Sequence, residues 1–266
     1  MALVWEHESD GVLYQVRRHG ASLRLYANGV QHSEYHPDRL VTGSVWDLLW
    51  LPALLQAPKH TRRILVLGLG GGSLIPPLRA LFSPERLVAV EKDPWHLSVA
   101  QKIFSVVEDA VAEGGTDIVL ADAVAWLQTY SGPPFDLIIE DLFAPRERSV
   151  RRAVMADERW LELLTRHVSA QGVLVMNFGD FAEYRASFSS DRLLTGWAGR
   201  FHLSCGDCHN AVIAHTRRPV RSVELRRRIQ RHPQLAPLLR SGQLDYHIRQ
   251  LQLLPAHDIG VIQSAV

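Results

Sequence analysis

Five runs of the chain are apolar at nearly every position rather than at alternate ones: Ile64-Leu-Val-Leu67, Leu87-Val-Ala-Val90, Asp117-Ile-Val-Leu120, Leu137-Ile-Ile139 and Val173-Leu-Val-Met176. Strands of this kind hide both faces only in a parallel sheet covered by helices on each side. Helical stretches fit between them at 74–82, 95–108, 123–129 and 158–167. The alternation predicts an α/β fold, a doubly wound, Rossmann-like parallel sheet with right-handed crossovers. At 266 residues the chain is long enough for one such domain with a small appendage.

The flanks read differently. From Val12 to Gln31 short β-prone runs alternate with turn signals, His19-Gly20 and the hairpin pair Asn28-Gly29. They predict a small N-terminal antiparallel β-sheet over residues 1–42. Val45, Leu48, Leu49 and Leu55 share one helical face, which predicts a helix over 45–55 leading into the nucleoside-binding domain at 43–218. Residues 199–216 add late strands, and 219–266 form an Arg-rich helical extension broken at Pro233 and Pro237.

Charge excludes little, since 29 basic and 28 acidic residues leave +1. Residues 217–266 hold nine Arg against Glu224, Asp245 and Asp258, a local +6. The 26 Arg against 3 Lys are spread over the whole chain, and only Tyr246 interleaves the basic tail, so a solvated helical face is expected rather than a nucleic-acid surface. Cys205 and Cys208 are too few to staple a chain of this size, and are expected as small buried thiols in a reducing cytosol rather than as half of a metal site. The first residues show no signal-peptide pattern, and the longest apolar stretch, 45–55, is too short for the roughly 20 residues of a membrane span. A cytoplasmic protein without a membrane partner is expected.

The candidate site lies at the strand ends. Gly68-Leu-Gly70-Gly71-Gly72-Ser73 follows the first parallel strand and opens a helix, where glycines let a ligand approach and a helix N-terminus offers N–H groups. Glu91 closes the next strand about 20 residues on, where a carboxylate accepts ribose hydroxyls. Asp122 and Asp141 follow the third and fourth strands. Ligands of open α/β sheets bind beyond the carboxyl ends of the strands, so these features point to one nucleoside crevice. No Gly-Lys-Ser/Thr follows the loop, which excludes a P-loop, and no second mononucleotide half favours a dehydrogenase.

From the hairpin to about Gly179 the sequence resembles the spermidine synthase (polyamine aminopropyltransferase) family, a branch of the class I AdoMet-binding transferases. The resemblance rests on Asn28-Gly-Val-Gln31-His-Ser-Glu34, the loop 68–73, Val90-Glu91-Lys-Asp93, Ala121-Asp122-Ala123 and Ile138-Ile-Glu-Asp141-Leu-Phe-Ala-Pro145. It implies a transferase of polyamine biosynthesis that uses decarboxylated S-adenosylmethionine as co-substrate, needs no metal, takes a small-molecule amine as acceptor and forms a homo-oligomer. Gln31 would meet the sulfonium, Gly68, Gly70 and Gly72 the donor, Glu91 the ribose, Asp122 and the Ala123 backbone the adenine, and Asp141 the reacting amine. Chemistry agrees for Asp141, because an amine attacking a carbon beside S⁺ must be neutral and a nearby carboxylate can take its proton.

Three departures touch the half of the site that recognises polyamine charge. Gly71 stands where the family carries an Asp for the ammonium of the decarboxylated donor, Ala144 replaces the second acid of Asp-x-x-Asp, and Leu40, Val41 and Thr42 replace the expected Tyr and acid or His. Losing the loop acid also removes a like charge against the carboxylate of intact S-adenosylmethionine, which makes a methyltransferase the rival reading, with a non-catalytic nucleoside-binding protein as a third. Glu140, Glu147 and Asp180 are candidates to compensate, and Trp46, Trp50 and Phe143 to line the acceptor pocket.

Overall fold

The computed structural model describes residues 1–112, 114–146, 149–187 and 196–252. Four antiparallel strands, β1 (Ala2–Ser9), β2 (Val12–His19), β3 (Ser22–Ala27) and β4 (Val30–Tyr35), form a sheet in sequence order. Two of its turns are Asp10-Gly11 and Asn28-Gly29, with positive φ at both residues of each, as a tight right-twisted hairpin demands. The second carries the predicted hairpin. The first adds β1, which the sequence reading did not include.

The predicted helix over 45–55 is shorter: α1 (Val45–Trp50) gives way to a 3₁₀ segment at Leu51–Leu55. Pro52 lacks the N–H that would continue the α ladder. Asp47, buried in the first turn of α1, accepts from the amides of Thr42 and Gly43, pinning the link from the small sheet. Burial pushes its carboxyl up to about 6.

Beyond it come β5 (Arg63–Leu67), α2 (Ile75–Phe82), β6 (Arg86–Glu91), α3 (Pro94–Lys102), α4 (Val106–Ala112), β7 (Thr116–Leu120), α5 (Ala123–Thr129) and β8 (Phe135–Glu140). A hairpin, β9 (Phe143–Arg146) and β10 (Ser149–Arg152), precedes α6 (Glu158–His167), β11 (Val168–Phe178) and α7 (Phe181–Ala186). The chain continues through β12 (Gly199–Ser204), β13 (Ala211–Thr216), α8 (Ser222–Arg231), α9 (Leu235–Arg240) and β14 (His247–Gln250). The large sheet runs β14-β12-β13-β11-β8-β5-β6-β7. Its strands from β11 to β7 are parallel, as the apolar runs require, and β13, β12 and β14 join antiparallel.

Ile64 and Val66 of β5 belong to the core on one face of the sheet, Leu65 and Leu67 to the core on the other, and all four are fully buried. That two-sided burial is why the runs carry no polar alternation. The predicted helix over 95–108 is two helices, separated where Ser105 takes a left-handed conformation and Phe104 turns into the core. The Arg-rich segment is not wholly helical either, since β14 pairs with β12.

The small sheet is fastened to the large domain beside the glycine loop. Ser73 Oγ accepts from the Glu34 amide at 3.0 Å and donates to the Glu34 carbonyl at 2.9 Å, with Ser73 and Glu34 both buried. A Ser73→Ala variant strands two buried backbone groups and is expected to lose about 1–3 kcal/mol of stability, read as a lowered urea midpoint at unchanged slope.

Candidate nucleoside and acceptor site

The parallel strands reverse their order between β5 and β8, and the crevice expected at such a switch point is present. A cavity of about 620 Å³ is lined there by Gly68, Leu69 and Gly70 after β5, Glu91 at the end of β6, Asp122 and Ala123 after β7, and Asp141 after β8. Gln31 on β4 closes it from the small sheet. Gly72, expected at the donor, does not line it.

Each of the five amides from Gly68 to Gly72 already has a partner within the protein. Gly68 N–H donates to Val90 O, those of Leu69 and Gly70 both reach Glu91 Oε2 at 2.9 Å, Gly71 N–H reaches Ser33 Oγ at 2.6 Å, and Gly72 N–H reaches Leu69 O. Pro76 and Pro77, in the first turn of α2, have no N–H at all. These five amides and the two prolines therefore offer no free donor to a ligand, against the expectation for this helix start.

Glu91 pays out most of its acceptor capacity here. Oε1 takes the Asp93 amide at 2.9 Å, so three of a carboxylate's roughly four lone-pair positions are filled by backbone. About one acceptor position is left, where the expectation was a carboxylate free for both hydroxyls of a ribose.

The glycines serve close approach of protein to protein. A Cβ at Gly68 would lie 2.2 Å from the Asp141 carbonyl, and one at Gly70 would lie 2.6 Å from Ser33 Oγ. At Gly71 it would meet the Phe104 ring at 2.6 Å and Ser33 Cβ at 2.9 Å, so this position packs against the protein and is not among the cavity-lining residues. At Gly72 it would meet Val106 of α4 at 2.6 Å, which explains that glycine by packing.

Asp122 accepts from the amides of Val124 and Ala125 through Oδ1, capping α5 while it lines the cavity. Asp93 caps α3 and accepts from Tyr14 Oη at 2.7 Å. At the other end, Asp141 Oδ1 accepts from Asn177 Nδ2 at 2.7 Å, and Asn177 Oδ1 accepts from Asn210 Nδ2 at 3.1 Å. Burial pushes the Asp141 carboxyl up to about 6, against the opposing pull of the Asn177 hydrogen bond and the Arg152 charge.

Behind it Arg152 grips Glu140 through two parallel bonds of 2.8 Å and also donates to the Asn177 carbonyl. Glu140 is fully buried and committed to this pair, so it does not compensate for Ala144. Asp180 caps α7, and Glu147 lies outside the described residues. Trp46 and Phe143 line the cavity, whereas Trp50 is wholly in the core.

Sequence reasoning missed three parts of the wall. Asn177 and Asn210 carry no periodic or spacing signal. His32 and His96 stand 5.0 Å apart between ring centres, and burial, reinforced by His96, pushes His32 down to about 3, which leaves the His32 ring uncharged. The third is the loop 205–210, whose Asp207, Cys208, His209 and Asn210 line the cavity. Cys205 and Cys208 are joined in a disulfide, contrary to the expected free thiols. Among the described residues no group of three His, Cys, Asp or Glu side chains is placed to hold a metal ion, and no helix is long and apolar enough to cross a membrane.

Comparison with known proteins gives the same direction. Polyamine aminopropyltransferase 2 of Ralstonia nicotianae is 32% identical over 165 residues, covering 60% of this chain and 31% of that protein. The eEF1A lysine and N-terminal methyltransferase homolog of Drosophila pseudoobscura pseudoobscura is 33% identical over 96 residues, covering 35% of this chain and 14% of that protein. This chain thus spans less than a third of the length of either relative. In fold it is similar to the spermidine synthase of Thermotoga maritima, with a TM-score of 0.66 at 12% identity over 87% of this chain and 78% of that one. The spermine/spermidine synthase domain matches residues 51–191, more than half of the sequence, and the chain belongs to that family.

Proposed function

We propose that the protein is a transferase that moves the aminopropyl group of decarboxylated S-adenosylmethionine to an amine, with Asp141 as proton acceptor. One observation carries the reading: the amides from Gly68 to Gly72 are spent internally, while five carboxylates, Glu91, Asp93, Asp122, Asp141 and Asp207, line the cavity against Lys92 as the one Lys or Arg among the described residues that line it. Such a site favours a nucleoside with a cationic arm over a nucleotide phosphate.

In this reading the ribose lies at the free acceptor position of Glu91, the adenine at Asp122 and Ala123, and the sulfonium at Gln31. The amine lone pair forms a bond to the carbon beside sulfur, the carbon–sulfur bond breaks, and its electron pair stays on a neutral thioether. The new ammonium gives its proton to Asp141. Because the thioether leaves readily, most acceleration comes from aligning nucleophile, carbon and sulfur, which the Arg152, Asn177 and Asp141 chain serves by fixing the carboxylate.

Methyl transfer from intact S-adenosylmethionine is the second reading. It is favoured by the packing at Gly71, where neither an acid nor room for one exists.

Thermal unfolding with each ligand separates the two. A donor at about 100 times its Kd should raise Tm by about 5–10 °C. A larger rise with decarboxylated than with intact S-adenosylmethionine is expected, and the reverse order would replace aminopropyl by methyl transfer.

Asp141→Asn should lower kcat by about 10²–10⁴-fold with little change in donor affinity. The carboxyl must be ionised to accept a proton, so the wild-type rate should climb as pH rises through about 6. That limb should vanish in the variant, and a pH–rate profile that keeps it would remove Asp141 from the role.

A further inference from the structure

Beyond the negative charge of Asp207, the loop 205–210 enters the cavity wall without a task in the chemistry above. It is held firmly: Cys205 and Cys208 close a ring around Gly206 and Asp207, and the Gly206 amide donates to Asp245 Oδ2 at 2.8 Å. Its far end is tied to the reacting group, because Asn210 donates to Asn177 and Asn177 to Asp141. Asp207 lies three residues from Asn210, within about 11 Å of chain reach, and lines the same cavity as Asp141.

The other cavity acids are committed. Glu91 holds three amides, Asp93 holds a helix cap and the Tyr14 hydroxyl, Asp122 caps α5, and Asp141 serves the reacting amine. A diamine acceptor brings a second amine that is charged near neutral pH and is costly to desolvate unless paired. Ala144 offers it nothing. We propose that Asp207, presented by the disulfide-closed loop, receives the distal ammonium of a diamine acceptor; the inference rests on the amine-acceptor reading above.

The test measures binding and turnover of 1,4-diaminobutane and butylamine by the wild type and by Asp207→Asn, with methylthioadenosine present for the binding arm. Asp207→Asn is expected to weaken diamine affinity about fivefold or more, raising KM with kcat retained and leaving butylamine unchanged. A Cys205→Ser/Cys208→Ser double variant should weaken the diamine in the same selective way. Unchanged diamine affinity in Asp207→Asn, or equal losses for both amines, overturns the proposal. A wild type that transfers methyl groups instead overturns the aminopropyl reading alone, because the ratio of the two binding constants still decides the role of Asp207.

Discussion

The carboxylate of Glu91 is the constraint on which the site is built. It sits 7% exposed at the end of β6 and gathers the amides of Leu69, Gly70 and Asp93. Three charge-assisted bonds of 2.9 Å join the end of β6 to the loop after β5 and to the start of α3. A buried carboxylate so satisfied carries little desolvation penalty, whereas the same amides left bare would each cost a fraction of the fold's stability. The interaction that shapes the loop also occupies the Leu69 and Gly70 amides that a ligand would otherwise meet.

Electrostatics then follow from the loop. With the amides of Leu69 and Gly70 withdrawn, the crevice keeps carboxylates on four of its edges and a neutral His32 on the small-sheet side. Arg152 does not reverse this sign, since it is bound bidentately to the fully buried Glu140. Its effect on Asp141 is a restraining one: it offsets part of the burial that raises that carboxyl. A carboxyl raised to about 6 thus arises from two opposed environments rather than from a single strong partner.

The parallel core was legible because β5, β6 and β8 are buried on both faces, which writes itself into sequence as uninterrupted Ile, Leu and Val. Glu91 and Asp141 were legible because strand-end acids fall at the switch point by connectivity alone. What escaped was set by tertiary context. β14 has one buried residue, Ile248, among four, and β9 contains Pro145, so neither carries a strand signal. Asn177 reaches its place through the antiparallel register of β11 with β13, and Asn210 through the loop that precedes β13. The break at Ser105 was hidden because its left-handed turn serves the burial of Phe104.

Phe104 also limits what position 71 can carry. Its ring and Ser33 occupy the space beside Gly71, so any side chain at that position meets two neighbours drawn from different elements. A single codon change there would disturb the seam between the small sheet and the glycine loop before it could add a charge. An acid at position 71 therefore needs room from both Phe104 and Ser33, and a change at either one alone leaves the other in its way.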